Sequence, residues 1–336
     1  MTAIKSKVVL GAGAAINKDM FYMSGSFDEQ DEAEDGTYSR MFIYQNQTNE
    51  KWFKHDLAGW RVVSSCFPKP GADGIRKLYA LSEQGDVECY SKLGATHEKI
   101  QDAGLSLDDG SANYGYVTRI REIGQHLYVC GYGGQVYRRD ASGWIHVDQN
   151  LLQTPVALSA TDDPAEMRAR LSRQIHETTG LTDINGAGDD SIYVVGNSGF
   201  LAHFDGSGWR TLDRLTAAHL NAIHIEPGGD VWIVGSRGTV LRGTVQQGFK
   251  AVMRKSLTTD FYAIAQFQDK FYLGAGDGIY ELHQGNANRL PESDTLDLTQ
   301  VSCVEAKDGV LWALTERKLV RFDGVKWEVF ENPYNV

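Results

Sequence analysis

No run of apolar residues in this chain approaches the roughly 18 that a membrane-spanning helix needs. The short run Val8 to Leu10, behind Lys5 and Lys7, is too brief for a signal-peptide core. A soluble chain working in the cytoplasm is therefore expected. Cysteine is scarce: Cys66, Cys89, Cys130 and Cys303 are scattered, with no Cys-x-x-Cys or zinc spacing. Each lies in an apolar, strand-like run, so they read as reduced, buried, small hydrophobes. No His-Glu-x-x-His pair, Gly-x-Ser-x-Gly elbow or EF-hand loop occurs. Gly186-Ala187-Gly188 precedes Asp189, Asp190 and a strand, the wrong context for a phosphate loop. No catalytic residue, metal site or cofactor is therefore assigned. His224 is expected to face a channel or a neighbouring unit.

Basic residues are also few: 33 against 44 acidic ones, a net charge of −11. Such a field repels nucleic acid and anionic membrane and attracts basic proteins, although acidity also simply aids solubility. Proline numbers only 7, whereas glycine reaches 36, against about 24 at typical usage. With aromatics at 10%, this points to tight turns joining β-rich segments.

The turns recur. Ser191 to Leu212 reads SIYVVGNSGFLAHFDGSGWRTL: a strand ending at Gly196, a turn, a strand to Phe204, an Asp-Gly turn, and a strand from Trp209. With the preceding Leu181 to Asn185 it makes four strands. The second-strand aromatic falls at Tyr193, Trp232, Tyr272 and Trp312, 39, 40 and 40 residues apart. Earlier copies place it at Tyr128, Tyr79 and, more loosely, Tyr22. The turn repeats as Gly131-x-x-Gly134, Gly196-x-x-Gly199 and Gly235-x-x-Gly238. An Asp-x-x-x-Trp step appears at Asp140/Trp144, Asp205/Trp209 and Asp323/Trp327. Glycine supplies positive φ in such turns, and the aromatics fill wedges between stacked sheets. A four-stranded unit cannot bury both faces alone, so the units must stack and close into a ring. The fold class is all-β: a single seven-bladed β-propeller, with six blades as the alternative because the first repeat is the least regular. Blades are expected near 5–55, 60–100, 116–149, 181–213, 220–254, 260–290 and 299–331. The first begins with its inner strand and the last ends with its own outer strand, so closure without strand exchange is expected.

The segment from Tyr193 to Trp209 resembles bacterial propellers related to the photosystem II assembly-factor and Asp-box (BNR) repeat groups. The resemblance covers 180–331 well and 116–149 fairly. Asp205 stands four residues before its Trp, not five, and His203 occupies the Ser/Thr position of an Asp-box. The resemblance therefore implies the fold and not sialidase chemistry. A general likeness to leaderless, acidic, propeller-type immunity proteins of bacterial toxin systems implies a second expectation: neutralisation of a secreted antibacterial toxin.

Function usually lies where a scaffold is interrupted. The largest interruption is 150–180. Asp163-Pro164 caps a helix near 163–179 whose apolar stripe is Met167, Leu171 and Ile175, leaving Arg168, Arg170 and Arg173 elsewhere. A second is the acidic run Asp28, Glu29, Asp31, Glu32, Glu34 and Asp35. A third, 101–115, holds Asp102, Asp108 and Asp109, and a fourth spans Pro291 to Thr299. All four connect the second strand to the third, or one blade to the next, so they leave the ring on one face. The opposite face carries one longer loop, Phe67 to Gly74. The acidic face, including the three arginines, is the expected protein-binding site, with a basic protein as partner. Two alternatives stay open: a glycan-active hydrolase or lyase at the channel mouth, needing convergence of residues such as Arg121, Asp183 and His224, and an assembly factor or scaffold.

Overall fold

The computed structural model describes residues 8–27, 37–105, 114–154, 178–254 and 256–334. Among them are seven four-stranded antiparallel sheets, each an unbroken stretch of chain running from inner to outer strand. The first holds β1 (Val8–Asn17), β2 (Met20–Phe27), β3 (Tyr38–Gln45) and β4 (Trp52–Ala58). The second holds β5 (Val62–Cys66), β6 (Lys77–Ser82), β7 (Asp86–Ser91) and β8 (Gly94–Lys99). Then come β9 (Val117–Ile123), β10 (His126–Gly131), β11 (Val136–Asp140) and β12 (Gly143–His146). The fourth sheet is β13 (Leu181–Gly188), β14 (Ser191–Gly196), β15 (Leu201–Phe204) and β16 (Trp209–Thr211). The fifth is β17 (Leu220–Ile225), β18 (Val231–Gly235), β19 (Val240–Thr244) and β20 (Gly248–Ala251). The sixth is β21 (Phe261–Phe267), β22 (Lys270–Ala275), β23 (Gly278–His283) and β24 (Asn286–Arg289). The seventh is β25 (Cys303–Lys307), β26 (Val310–Leu314), β27 (Lys318–Phe322) and β28 (Trp327–Glu331). Each inner strand touches the next, and β25 returns to β1. The ring has seven blades, not six. A short helix α1 (Glu292–Thr295) occupies the fourth expected interruption. The helix expected near 163–179 falls on residues outside those described, apart from Thr178 and Thr179, which are not helical.

The repeated aromatics act between blades. Tyr128 donates its hydroxyl to Asp189 of the next blade (2.8 Å), and Tyr193 accepts from the Val245 N–H (3.2 Å). Trp232 packs on Phe271 with ring centres 4.4 Å apart. The recurring tryptophans reach backwards instead: Trp209 Nε1 donates to the Val147 carbonyl (2.8 Å) and Trp144 Nε1 to Glu98 (2.9 Å). Each lies four residues after an aspartate that closes its hairpin. Asp205 Oδ1 accepts from the Ser207 and Gly208 N–H groups and the Ser207 hydroxyl, which hold its pKa down at about 2.

The glycine turns work only partly as expected. Gly199 does adopt positive φ (+74°). Gly196, however, is extended (φ −167°). It is glycine because a Cβ there would sit 2.2 Å from the carbonyl oxygen of Gly180, at the entry to its own blade's inner strand β13. The first glycine of the motif therefore permits close backbone approach, and the second permits the turn.

The seventh blade meets the first without exchanging a strand, as expected. Trp312 carries this seam: it is fully buried, lies 5.5 Å from Phe21 and 6.1 Å from Phe330, and donates to the Asn17 carbonyl (2.9 Å). Phe330 stacks on Tyr44 at 4.5 Å, and Arg321 reaches Asp19 at 3.3 Å.

Candidate functional site

Neighbouring inner strands are stapled at their starts by polar side chains. The Thr118 hydroxyl donates to the Leu181 carbonyl (2.8 Å), Asn221 Nδ2 to Phe261 (2.8 Å) and the Ser302 hydroxyl to Gly11 (2.9 Å). These residues border a mouth cavity of about 1030 Å³, lined by the beginnings of all seven inner strands and by Arg61, Glu83, Glu316 and Tyr262. Below it, sharing Arg119, Tyr262 and Cys303 as lining, lies a second cavity of about 330 Å³. Its walls come from the later halves of the inner strands and include Arg121, Asn185, His224, Gln266, Glu305 and Lys307.

A charged network surrounds this constriction. Asp183, fully buried, receives Arg121 Nη2 on both oxygens (3.0 and 3.1 Å) and the N–H groups of Ile184 (3.0 Å) and Ile223 (2.8 Å). Arg119 Nε approaches the same carboxylate to 3.2 Å. Burial works against the charge of Arg121, but Asp183 outweighs it and the guanidinium pKa lies above its ordinary value. Glu305 accepts from the Ala15 N–H, yet burial dominates and raises its carboxyl pKa. Burial likewise lowers the pKa of His224, with the Arg121 charge acting in the same direction, and its Nε2 has no hydrogen-bond partner.

The structure therefore brings Arg121, Asp183 and His224 to one channel, with the Asp183 carboxylate bound up in the ion pair. Sequence reasoning missed Glu305. Its alternation on β25 is indistinguishable from that of any half-buried strand, and only ring closure aims it inward. The cysteines are uneven: Cys66 and Cys130 are buried, whereas Cys89 and Cys303 are half-buried, and Cys303 lines both cavities. Burial pushes the thiols of Cys66 and Cys130 up to about 12, which leaves them unreactive.

The expected binding residues Asp28, Glu29, Asp31, Glu32, Glu34, Asp35, Asp108, Asp109, Arg168, Arg170 and Arg173 all lie outside the described residues. The described ends of their connections are Phe27 and Thr37, Leu105 and Tyr114, and Thr154 and Thr178. By strand direction these ends stand on the face where the inner strands begin, which is the mouth face. Among the described residues, Leu105, Tyr132, Leu215 and Tyr262 are exposed large apolar side chains on this face, between 40% and 53% accessible.

Fold and channel together define a seven-bladed β-propeller with an open mouth. No family model matches the chain. It is 27% identical over 275 residues to Immune protein Tsi7 of Pseudomonas aeruginosa, across 81% of this chain and 80% of that protein. The expected resemblance to a propeller-type immunity protein is thereby borne out. Among solved structures it superposes on a catalytically inactive virginiamycin B lyase from Staphylococcus aureus with quinupristin (TM-score 0.65, 10% identity, 94% of both chains). It also superposes on YCF48 bound to D1 peptide (TM-score 0.61, 12% identity, 95% of this chain and 93% of that one). At these identities the likeness to the two solved structures is one of fold.

Proposed function

We propose that this chain is an immunity protein of the bacterial cytoplasm, a non-catalytic propeller that binds and neutralises a toxin protein on its mouth face. The observation that carries the reading is the 27% identity to an immune protein over 81% of the chain. That span exceeds any single blade, so it is more than a shared hairpin motif. The exposed Tyr132, Leu215 and Tyr262 on the mouth face, Tyr262 lining the cavity itself, support it, since exposed aromatic and aliphatic anchors are what protein interfaces bury. The net charge of −11 supports a basic partner, whose approach it would accelerate. The acidic run from Asp28 to Asp35, the pair Asp108 and Asp109, and the arginines Arg168, Arg170 and Arg173 are the proposed rim of that interface.

The test expresses the protein encoded beside this chain in a heterologous bacterium, with and without the chain. Growth arrest relieved by the chain supports the reading; a harmless neighbour, or arrest unrelieved, overturns it. With such a partner in hand, replacing Asp31, Glu32 and Glu34 by lysine should slow association about tenfold at low salt and flatten its salt dependence. Unchanged association kinetics would remove that run from the interface.

A further inference from the structure

We propose that the channel holds a binding site for a small oxyanion, a phosphate or carboxylate group, gripped by the guanidinium groups of Arg119 and Arg121. Each guanidinium carries five N–H donors in a rigid fork and cannot be deprotonated in a protein. Arg121 spends Nη2 on Asp183, and its Nε has no partner. Arg119 touches Asp183 at 3.2 Å, but its Nε makes no hydrogen bond. Asp183 has little left to offer, because two backbone N–H groups and Arg121 already occupy its oxygens.

Charge tells the same story. Two guanidinium groups and Lys307 line the cavity against the carboxylates of Glu122 and Glu305, and Asp183 beside them is already committed. More cations than carboxylates thus line this cavity, inside a chain whose net charge is −11. Unmet donors in a confined site are costly, and an oxyanion accepting from an arginine fork is among the stronger ways to meet them. His224 lines the same cavity. The volume suits a small ion, at about 330 Å³, and the mouth above it gives access. The site stands whether or not a protein docks on the mouth face.

The test is isothermal titration calorimetry of the full chain at constant ionic strength in chloride, with inorganic phosphate in one arm and malonate in the other. Saturable one-to-one binding of either is expected, and the tighter arm tells whether the cradle fits a tetrahedral or a planar group. R119Q should weaken binding tenfold or more, R119K by severalfold because the charge stays and the fork is lost, and K250Q on the outer strand not at all. Thermal melts show that each variant is folded; should R119Q fail, R119K carries the comparison. No saturable binding up to roughly 10 mM in either arm, or R119Q and R119K binding as tightly as the unchanged chain, overturns the proposal.

Discussion

Replacing Trp312 by alanine should destabilise the protein by about 4 kcal/mol, because this residue closes the ring. Deleting a buried tryptophan typically costs about 3–5 kcal/mol, from lost transfer energy and the cavity left behind. At this position the Asn17 carbonyl also loses the indole donor, and Phe21, Tyr44 and Phe330 lose a shared ring surface. No strand spans the seam, and the backbone bond from the Leu10 N–H to the Glu316 carbonyl (2.8 Å) is no substitute for a full ladder. Trp312→Phe keeps most of the apolar contact and gives up mainly the hydrogen bond, worth about 1 kcal/mol. Urea denaturation followed by tryptophan fluorescence and far-ultraviolet circular dichroism gives both losses. Hydrogen exchange should localise the alanine variant's weakening to β1, β2, β26 and β28 before other blades respond. A loss below about 1 kcal/mol for W312A, or weakening spread evenly around the ring, would refute a seam held by side chains.

Two further perturbations probe the interior. Glu305 has its folded pKa raised by burial, so ionising it costs stability as pH rises through the ordinary carboxylate value toward the folded one. Glu305→Gln keeps an acceptor for the Ala15 N–H and removes that cost. Its melting temperature should match the unchanged chain near pH 4 and exceed it increasingly toward pH 7; an advantage that shrinks as pH rises would show the sign is wrong. Gly196→Ala should cost more than about 2 kcal/mol by forcing β14 away from the Gly180 carbonyl, whereas Gly228→Ala, with open space around it, should change stability by less than about 0.5 kcal/mol. Equal unfolding midpoints for the two would contradict the close-approach argument.

The blade count was legible because the propeller imposes its demands locally. Tyr193, Trp232, Tyr272 and Trp312 recur since each must fill the same wedge, and Asp140, Asp205 and Asp323 recur since each closes the same hairpin. The sequence also placed β1 and β28 in their own blades, and so announced the seam. The channel was harder to read. Arg121 and Asp183 stand 62 residues apart and meet only because adjacent inner strands converge on an axis. Nothing near Glu305 in the chain distinguishes it from a solvent-facing strand residue. The double glycine motif was half understood, because the steric limit on Gly196 comes from the entry to its own blade's inner strand, not from its turn.

Because every sheet is one contiguous stretch, a ribosome delivers the sheets one at a time. The backbone ladder of each can form before the following one has emerged. What must wait is burial of the flanks, and the first and seventh sheets wait longest: Phe21 on β2 stays without its indole neighbour, Trp312 on β26, until the seventh sheet is made. Premature self-association during synthesis should therefore begin at the first sheet's unmatched flank.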